Sequence, residues 1–534
     1  MSVFPHTQLL FESTLAIVIS GPHIQILDSR TGDLIITTAD RQGADKDALL
    51  KSGPIRLAAV DKEGKHLVTS GDDKLLKLWQ IDGLKLLNER ELPKKPTGLA
   101  FTRDGQTILS ADKFGDIFSY DLHLAPQTVE QKKASLASHD NPSGGKLILG
   151  HASFLTAFLL SSDEKFIITA DRDEHIRISW YPQGYTIETY CLGHKKFVSA
   201  IHVPDFSLTE LVSGGGDPML KIWDWMTGKV KREIPVLHAV EPFIQVKAPK
   251  RTPRRFEEGG EDNGDVTTTK KKGRKGRNRA KQQAKTDSAE GSTSGSTPVE
   301  PSEVAVPLEA SGSGGSDTIL VIQRIASLAS DMGESRHLVF SAVGATALFS
   351  CAYSEDAVPK IHAFDFSKPV IDFTVASDGL IWVSLDAQWS ETGSNSMDST
   401  SAVVRVVRFS GDKLVEVPGD PLPLVLSLNS KCLLPATPPE LKALDLYLPL
   451  SALPKNNESE HDPMDREALE NPGDGKELSM KELGRLKSKK AVAKVQSTGP
   501  AGEGEEEELE ERRTKRAKSE HDDAGGEDVL MGGL

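Results

Sequence analysis

Residues 170–185, ADRDEHIRISWYPQGY, place six charged or titratable side chains in eight positions and then pass into an apolar alternation. Carboxylates, guanidinium groups and an imidazole gathered this closely have two uses. They can move protons in a reaction, or they can recognise another molecule by charge. Ile176 and Ile178 fall on one face of the strand, so His175, Arg177 and Ser179 fall on the other. Arg177 has counterparts in Lys77 and Lys221, so a basic residue here is a general feature of the chain. Asp171 and Asp173 are turn formers, since an Asp carboxylate accepts from backbone amides two residues on. Arg172, Asp173, Glu174 and His175 together exceed what a turn requires. The run continues as WYPQGYTIETYCLGHKKFVSAI (180–201), aromatic-rich and carrying Lys195 and Lys196 before Phe197.

The usual arrangements for catalysis are missing. No G-x-G-x-x-G joins a strand to a helix; SGSGGS (311–316) reads as linker, and GGGD (214–217) precedes a strand. No H-x-x-x-H or H-E-x-x-H presents a metal-ligand pair, and no G-x-S-x-G sits at a strand-to-helix turn. The sequence therefore implies no catalytic residue, no metal, no cofactor and no small-molecule substrate. Cys191, Cys351 and Cys432 form no C-x-x-C pair, which gives neither a disulfide framework nor a zinc site and points to a reducing compartment. Two tracts are strongly basic: KKKGRKGRNRAK (270–281), with eight Lys or Arg, and RRTKRAK (512–518), with five. Such tracts serve as a nuclear address, as a phosphate-binding arm or as solvated linker. The expectation is a nuclear protein, with the cytoplasm open as a second location.

The 534 residues allow several domains, but aromatics are 6% and charged residues 27%, so the compact part is smaller than the chain. The net charge of −14 argues against a uniformly basic nucleic-acid coat. MSVFPHTQLLFESTLAIVIS lacks the basic start of a signal peptide, and no run of about 18 apolar residues suggests a membrane span.

One pattern recurs: small residues, a polar turn, then an alternating strand. It reads SGDDKLLKLW at 70, SADKFGDIFSY at 110, TADRDEHIRIS at 169 and SGGGDPMLKIW at 213. The long middle interval holds the insertion LHLAPQTVEQKKASLASHDNPSGGK (122–146); elsewhere the period is about 40–45, the length of a four-stranded propeller blade. Each copy follows another strand and a turn, as in GLAFTRDGQTILSA (98–111), where D-G and E-G steps supply residues that tolerate positive φ. Gly150-His151, Gly193-His194, Trp79 and Trp223-Asp224 stand at matching places, with Tyr120 and Ser179 where Trp is absent. These features resemble the WD-repeat family and imply an all-β, seven-bladed propeller. Blades 1–5 are expected in 1–246 and blades 6–7 with the closure in 318–454. Between them, 247–317 is poor in large apolar residues and reads as a disordered basic insertion. The expected tail, 455–534, is disordered and charged, with a short amphipathic helix over 476–490.

Three stretches carry a narrower resemblance: LSADKFGDIFSYDL (109–122), LILGHASFLTAF (147–158) and ADRDEHIRISWYPQGYTIETYCLGHKKFVSAI (170–201). They resemble the non-catalytic WD-repeat subunit of eukaryotic tRNA (guanine-N7-)-methyltransferase, of the fungal type. The resemblance implies a non-enzymatic propeller that pairs with a separate catalytic subunit as a heterodimer, stabilises it and activates it. It meets tRNA only through that complex, which forms N7-methylguanosine in the variable loop. It also implies partner contacts at Asp173, Glu174, Arg177 and Lys195; His175 departs from the Lys of the family. Two readings outside this family are a general scaffold, such as a ubiquitin-ligase substrate receptor or a chromatin adaptor, and an enzyme with its site in the central channel.

Overall fold

The computed structural model describes residues 2–123, 141, 143–248, 318–329, 336–354, 359–386, 388–389, 402–419 and 422–455. Nearly all of the insertion expected at 247–317, the tail beyond Lys455 and the helix expected at 476–490 lie outside the described residues.

Seven four-stranded antiparallel sheets follow one another along the chain, each built from four consecutive strands. Blade 2 is typical: Ile55–Val60, His66–Gly71, Leu75–Gln80 and Lys85–Glu91. Period-2 alternation makes the strands, and the residues at the tight turns set their ends. Gly64 (φ +64°) and Gly105 (φ +66°) occupy left-handed positions in the turns between first and second strands, where blade 4 uses Glu164 (φ +54°). The first strand of each blade is innermost. Gln8–Glu12, Ile55–Val60, Pro96–Phe101, Leu155–Leu160, Val198–His202, Ile322–Ala329 and Val370–Val375 each pack on the next, and the last packs on the first. The protein is thus the seven-bladed all-β propeller that the repeat implies.

The strands least visible in the sequence are innermost ones. Gln8–Glu12 completes blade 1, Ile322–Ala329 opens blade 6 and Val370–Val375 opens blade 7. QRIASLA alternates weakly because both faces of the strand meet neighbouring blades: Ile322 and Ile325 lie in the core shared with blade 5, and Ala326 and Leu328 in the core shared with blade 7. The insertion at 122–146 joins the third strand of blade 3, Asp116–Asp121, to its fourth, Lys146–Gly150.

Blades hold one another through apolar faces. Ile176, Ile178 and Cys191 of blade 4 pack against Val198, Leu211 and Trp223 of blade 5. The join between blades 5 and 6 spans the break in the described chain. Val236, Val240 and Ile244 on the near side share one core with Leu320, Phe340 and Phe349 on the far side. The amides of Gln245 and Val246 both donate to the Gly344 carbonyl, at 2.9 and 3.1 Å.

Ring closure is made by the two ends of the described chain. Among the described residues, no strand is exchanged between blades 7 and 1. Instead, the N-terminal residues pair with the segment after blade 7: Phe4 N donates to Leu434 O (2.9 Å) and Ala436 N to Ser2 O (2.9 Å). Helix Pro423–Leu428 inserts Leu424, Val425 and Leu428 among Leu9, Val18, Trp382 and Val404. Two buried polar side chains pin it. Gln25 Nε2 donates to Cys432 O (2.9 Å), and the His6 ring lies 2.8 Å from Ser20 Oγ and 3.0 Å from Leu428 O.

Burial lowers the His6 pKa from 6.5 to about 4, against the raising effect of the Leu428 carbonyl. The unfolded chain therefore takes up this proton near pH 6.5 and the folded ring only near 4. Each pH unit lost across that window favours unfolding by about 1.4 kcal/mol. We expect the melting temperature to fall between pH 6.5 and 4.5, and the fall to flatten in His6→Asn, which starts from lower stability. Thermal melts across the pH series check both.

Candidate interaction surface on blade 4

The charged segment forms the turn between the second and third strands of blade 4, Phe166–Asp171 and Ile176–Trp180. Asp171 builds it from beneath. Its Oδ1 accepts from the amides of Asp173 (2.8 Å) and His175 (3.0 Å). Its Oδ2 accepts from His151 Nδ1 at 3.1 Å. His151 Nε2 lies 2.8 Å from Thr169 Oγ1, so with Nδ1 protonated toward the carboxylate, Nε2 is free to accept the hydroxyl proton. Burial raises the Asp171 pKa, but the His151 and His175 contacts outweigh it and hold the carboxyl below its usual range.

Blade 5 repeats the device. Asp217 Oδ2, His194 Nδ1, His194 Nε2 and Ser213 Oγ are linked at 2.6 and 2.7 Å, and Trp223 Nε1 donates to Ser213 Oγ at 2.8 Å. The order Asp–His–Ser imitates a hydrolytic triad, yet the chemistry is blocked. Ser213 is fully buried, and the Trp223 donor occupies the lone pair a nucleophile would use. These chains hold strands together and fix the turns. The sequence reading noted the Gly-His pairs but not their partners, which lie about 20 residues further on.

Asp171 is consumed by this scaffold, so the residues after it are left for contact. Asp173 and Glu174 keep side-chain exposures of 41% and 34%. Glu174 sits at φ +75°, where blade 3 has Gly115 at φ +102°. A glutamate in left-handed backbone costs about 1–2 kcal/mol, so its carboxylate is held at a position better suited to glycine. Both carboxylates meet Lys455, whose Nζ is 2.8 Å from Glu174 Oε1 and 3.3 Å from Asp173 Oδ1. Lys195, in the connection to blade 5, gives its amide to Asp217 Oδ2 (3.0 Å), and the residue is exposed.

Arg177 departs from the expected rim contact. It is only 8% exposed and lies inside the blade, paired in register with Thr169 and Tyr190. Its Nη1 donates to the Gly150 carbonyl at 2.9 Å, while Nε and Nη2 have no hydrogen-bond partner among the described residues. Burial lowers its pKa, with Tyr190 and Asp171 opposing. The equivalent lysines have carboxylates: Lys77 meets Asp73 at 3.2 Å, and Lys221 pairs with Glu233. Arg177 alone of the three has no carboxylate at salt-bridge distance among the described residues.

Apolar side chains are exposed along the outer edge of blades 4 and 5, with Tyr190 and Leu192 nearest the turn. Tyr185 is 79% and Leu192 61% exposed, with Trp180, Ile187, Tyr190, Val230 and Met226 also open. Trp180 gives its indole N–H to Glu188 Oε2 at 2.8 Å; Tyr181 is half-buried against blade 3. The outer strand of the blade, Ile187–Cys191, is largely exposed.

The fold and the Trp–Ser–His–Asp chain define a WD-repeat propeller. Within that class, the family model for the "tRNA methyltransferase TRM82 WD40 domain" matches residues 28–144 and 128–408, and the chain belongs to this family. The protein named "tRNA (guanine-N(7)-)-methyltransferase non-catalytic subunit trm82" of Aspergillus clavatus is 35% identical over 236 residues, 34% of this chain and 48% of that protein. Its namesake in Debaryomyces hansenii is 32% identical over 199 residues, covering 36% and 42%. The match spans about half the length of these curated relatives or less. A chain of the structure named "Crystal Structure of Mitotic Checkpoint Complex" covers 71% of this chain and 86% of its own, at 11% identity and a TM-score of 0.45.

Two substitutions separate the scaffold from the surface it presents. Asp171→Ala removes a buried acceptor of three donors and should lower the melting temperature by several degrees. Glu174→Gly relieves the left-handed backbone and should leave melting unchanged or slightly raised. Calorimetry of both variants checks the contrast.

Proposed function

We propose that this chain is the non-catalytic subunit of a tRNA guanine-N7 methyltransferase: it binds the catalytic subunit, stabilises it and activates it toward the variable loop of tRNA. Membership of the family carries this reading, and the names of the relatives give it its content. The blade-4 turn gives it a physical form. Asp173 and Glu174 offer a carboxylate pair to a basic side chain of the partner. Arg177 is buried beneath the turn and supports it from inside the blade through the Gly150 carbonyl. Lys195 adds a positive charge at the same end of the blade.

Charge pairs on a rim chiefly set orientation and association rate, while the neighbouring Tyr190 and Leu192 supply area to bury. A rigid rim of this kind activates by binding the competent form of the enzyme more tightly than other forms. The tRNA is met through the assembled heterodimer. The basic tracts at 270–281 and 512–518 direct the subunit to the nucleus.

The test is co-expression of the catalytic subunit with the wild-type chain or with Asp173→Lys plus Glu174→Lys. Co-purification and methylation of tRNA are measured. The charge reversal should weaken the complex at least about tenfold and reduce methylation in step, with the melting temperature of the propeller retained. Wild-type levels of both would remove the turn from the interface.

A further inference from the structure

The segment that follows blade 7 does more than close the ring. After helix Pro423–Leu428 it continues through helices Pro438–Leu444 and Pro449–Ala452 across the end of the propeller where the innermost strands begin. Near blade 2, the Arg56 guanidinium donates to the carbonyls of Leu444 and Ala443, the latter at 2.7 Å. On blade 7, Tyr447 OH donates to Asp386 Oδ2 at 2.7 Å. Leu450 and Leu453 are then buried among Phe197, Val321 and Val343 of blades 5 and 6, with Phe154 of blade 4 beside them. Two residues beyond Leu453, Lys455 reaches the carboxylates of the blade-4 turn.

We propose that this segment is a strap that latches the partner surface, with Lys455 holding Asp173 and Glu174 until a basic side chain of the partner displaces it. The inference rests on the reading of blade 4 as the partner surface and adds its regulation.

Three observations support it. Among the described residues, Lys455 is the cation at salt-bridge distance from both carboxylates. The contact is delivered rather than incidental, because Leu453 is buried and only Pro454 separates it from Lys455. Anchoring gives the ammonium a high local concentration that a free partner must overcome. The pairing is also weak enough to reverse. All three side chains are about one-third or more exposed, and a pair of this kind shifts an equilibrium only about two- to fivefold. Burial lowers the Lys455 pKa, but Glu174 and Asp173 outweigh it, so the cation is held through the neutral range. Release requires movement of one or two residues and leaves the buried leucines in place.

A latched fraction raises the apparent dissociation constant in proportion to the molecules it closes. The full-length chain is therefore compared with Lys455→Ala, with Asp173→Asn plus Glu174→Gln, and with the triple variant, each titrated with the purified catalytic subunit. Melting temperatures are taken in parallel. Lys455→Ala should bind about two- to fivefold tighter, mainly through a faster association rate, with unchanged melting. In the amide background, Lys455→Ala should have no effect.

Unchanged or weaker binding by Lys455→Ala overturns the latch. So does a lowered melting temperature with unchanged affinity, which marks a purely structural staple. So does tighter binding that persists in the amide background. If instead the amide variant binds as tightly as Lys455→Ala, which is likewise unlatched, the blade-4 surface fails, and that result is distinct from failure of the latch alone.

Discussion

Closure of the ring is the constraint on which the rest of the structure depends. Seven sheets stacked face to face leave blades 1 and 7 with one apolar face each until the ends of the described chain bring them together. The closure is a mixed one. Leu424, Val425 and Leu428 fill the gap, and His6 and Gln25 tie the filling to the backbone. Burying an imidazole here is tolerable only while it stays neutral, so the join that makes the propeller rigid is also sensitive to acid. Rigidity is what allows a short turn on blade 4 to present two carboxylates at a fixed spacing.

The turn divides its acidic residues by depth. Asp171 is spent on backbone amides and His151, and for that reason it is unavailable to any partner. Asp173 and Glu174 project from the stretch bracketed by the two amides that Asp171 holds, those of Asp173 and His175. A side chain that fixes the backbone and side chains that meet the outside are thus separate residues. The same division appears in blade 5, where Asp217 receives the Lys195 amide and the Lys195 residue remains exposed. Arg177 marks the boundary between these roles, being buried like the scaffold yet lacking the counter-charge its equivalents possess.

Local pattern carried most of the fold. The repeated turn-and-strand unit fixed the blade length, and Gly64 and Gly105 stand at the left-handed positions that their D-G and E-G steps imply. Innermost strands such as Ile322–Ala329 were obscured because half their surroundings come from other blades, which a period-2 count does not register. Burial of Arg177 was hidden for a related reason. Alternation assigns it a face of the strand but cannot say that blade 3 covers that face. Glu174 was legible as surplus charge, while its partner Lys455 lies 281 residues away and has no sequence signal linking the two.

The join between blades 5 and 6 has a consequence for how the chain can be divided. Val240 and Ile244 on one side of the break and Leu320 and Phe340 on the other belong to a single core, and the Gly344 carbonyl receives two amides from across it. The packing and the hydrogen bonds of this join are made by described residues on either side of 249–317. The propeller is therefore physically a two-piece object. A five-blade piece and a two-blade piece carry matching surfaces at both seams, and the described residues on those surfaces hold the fit between them.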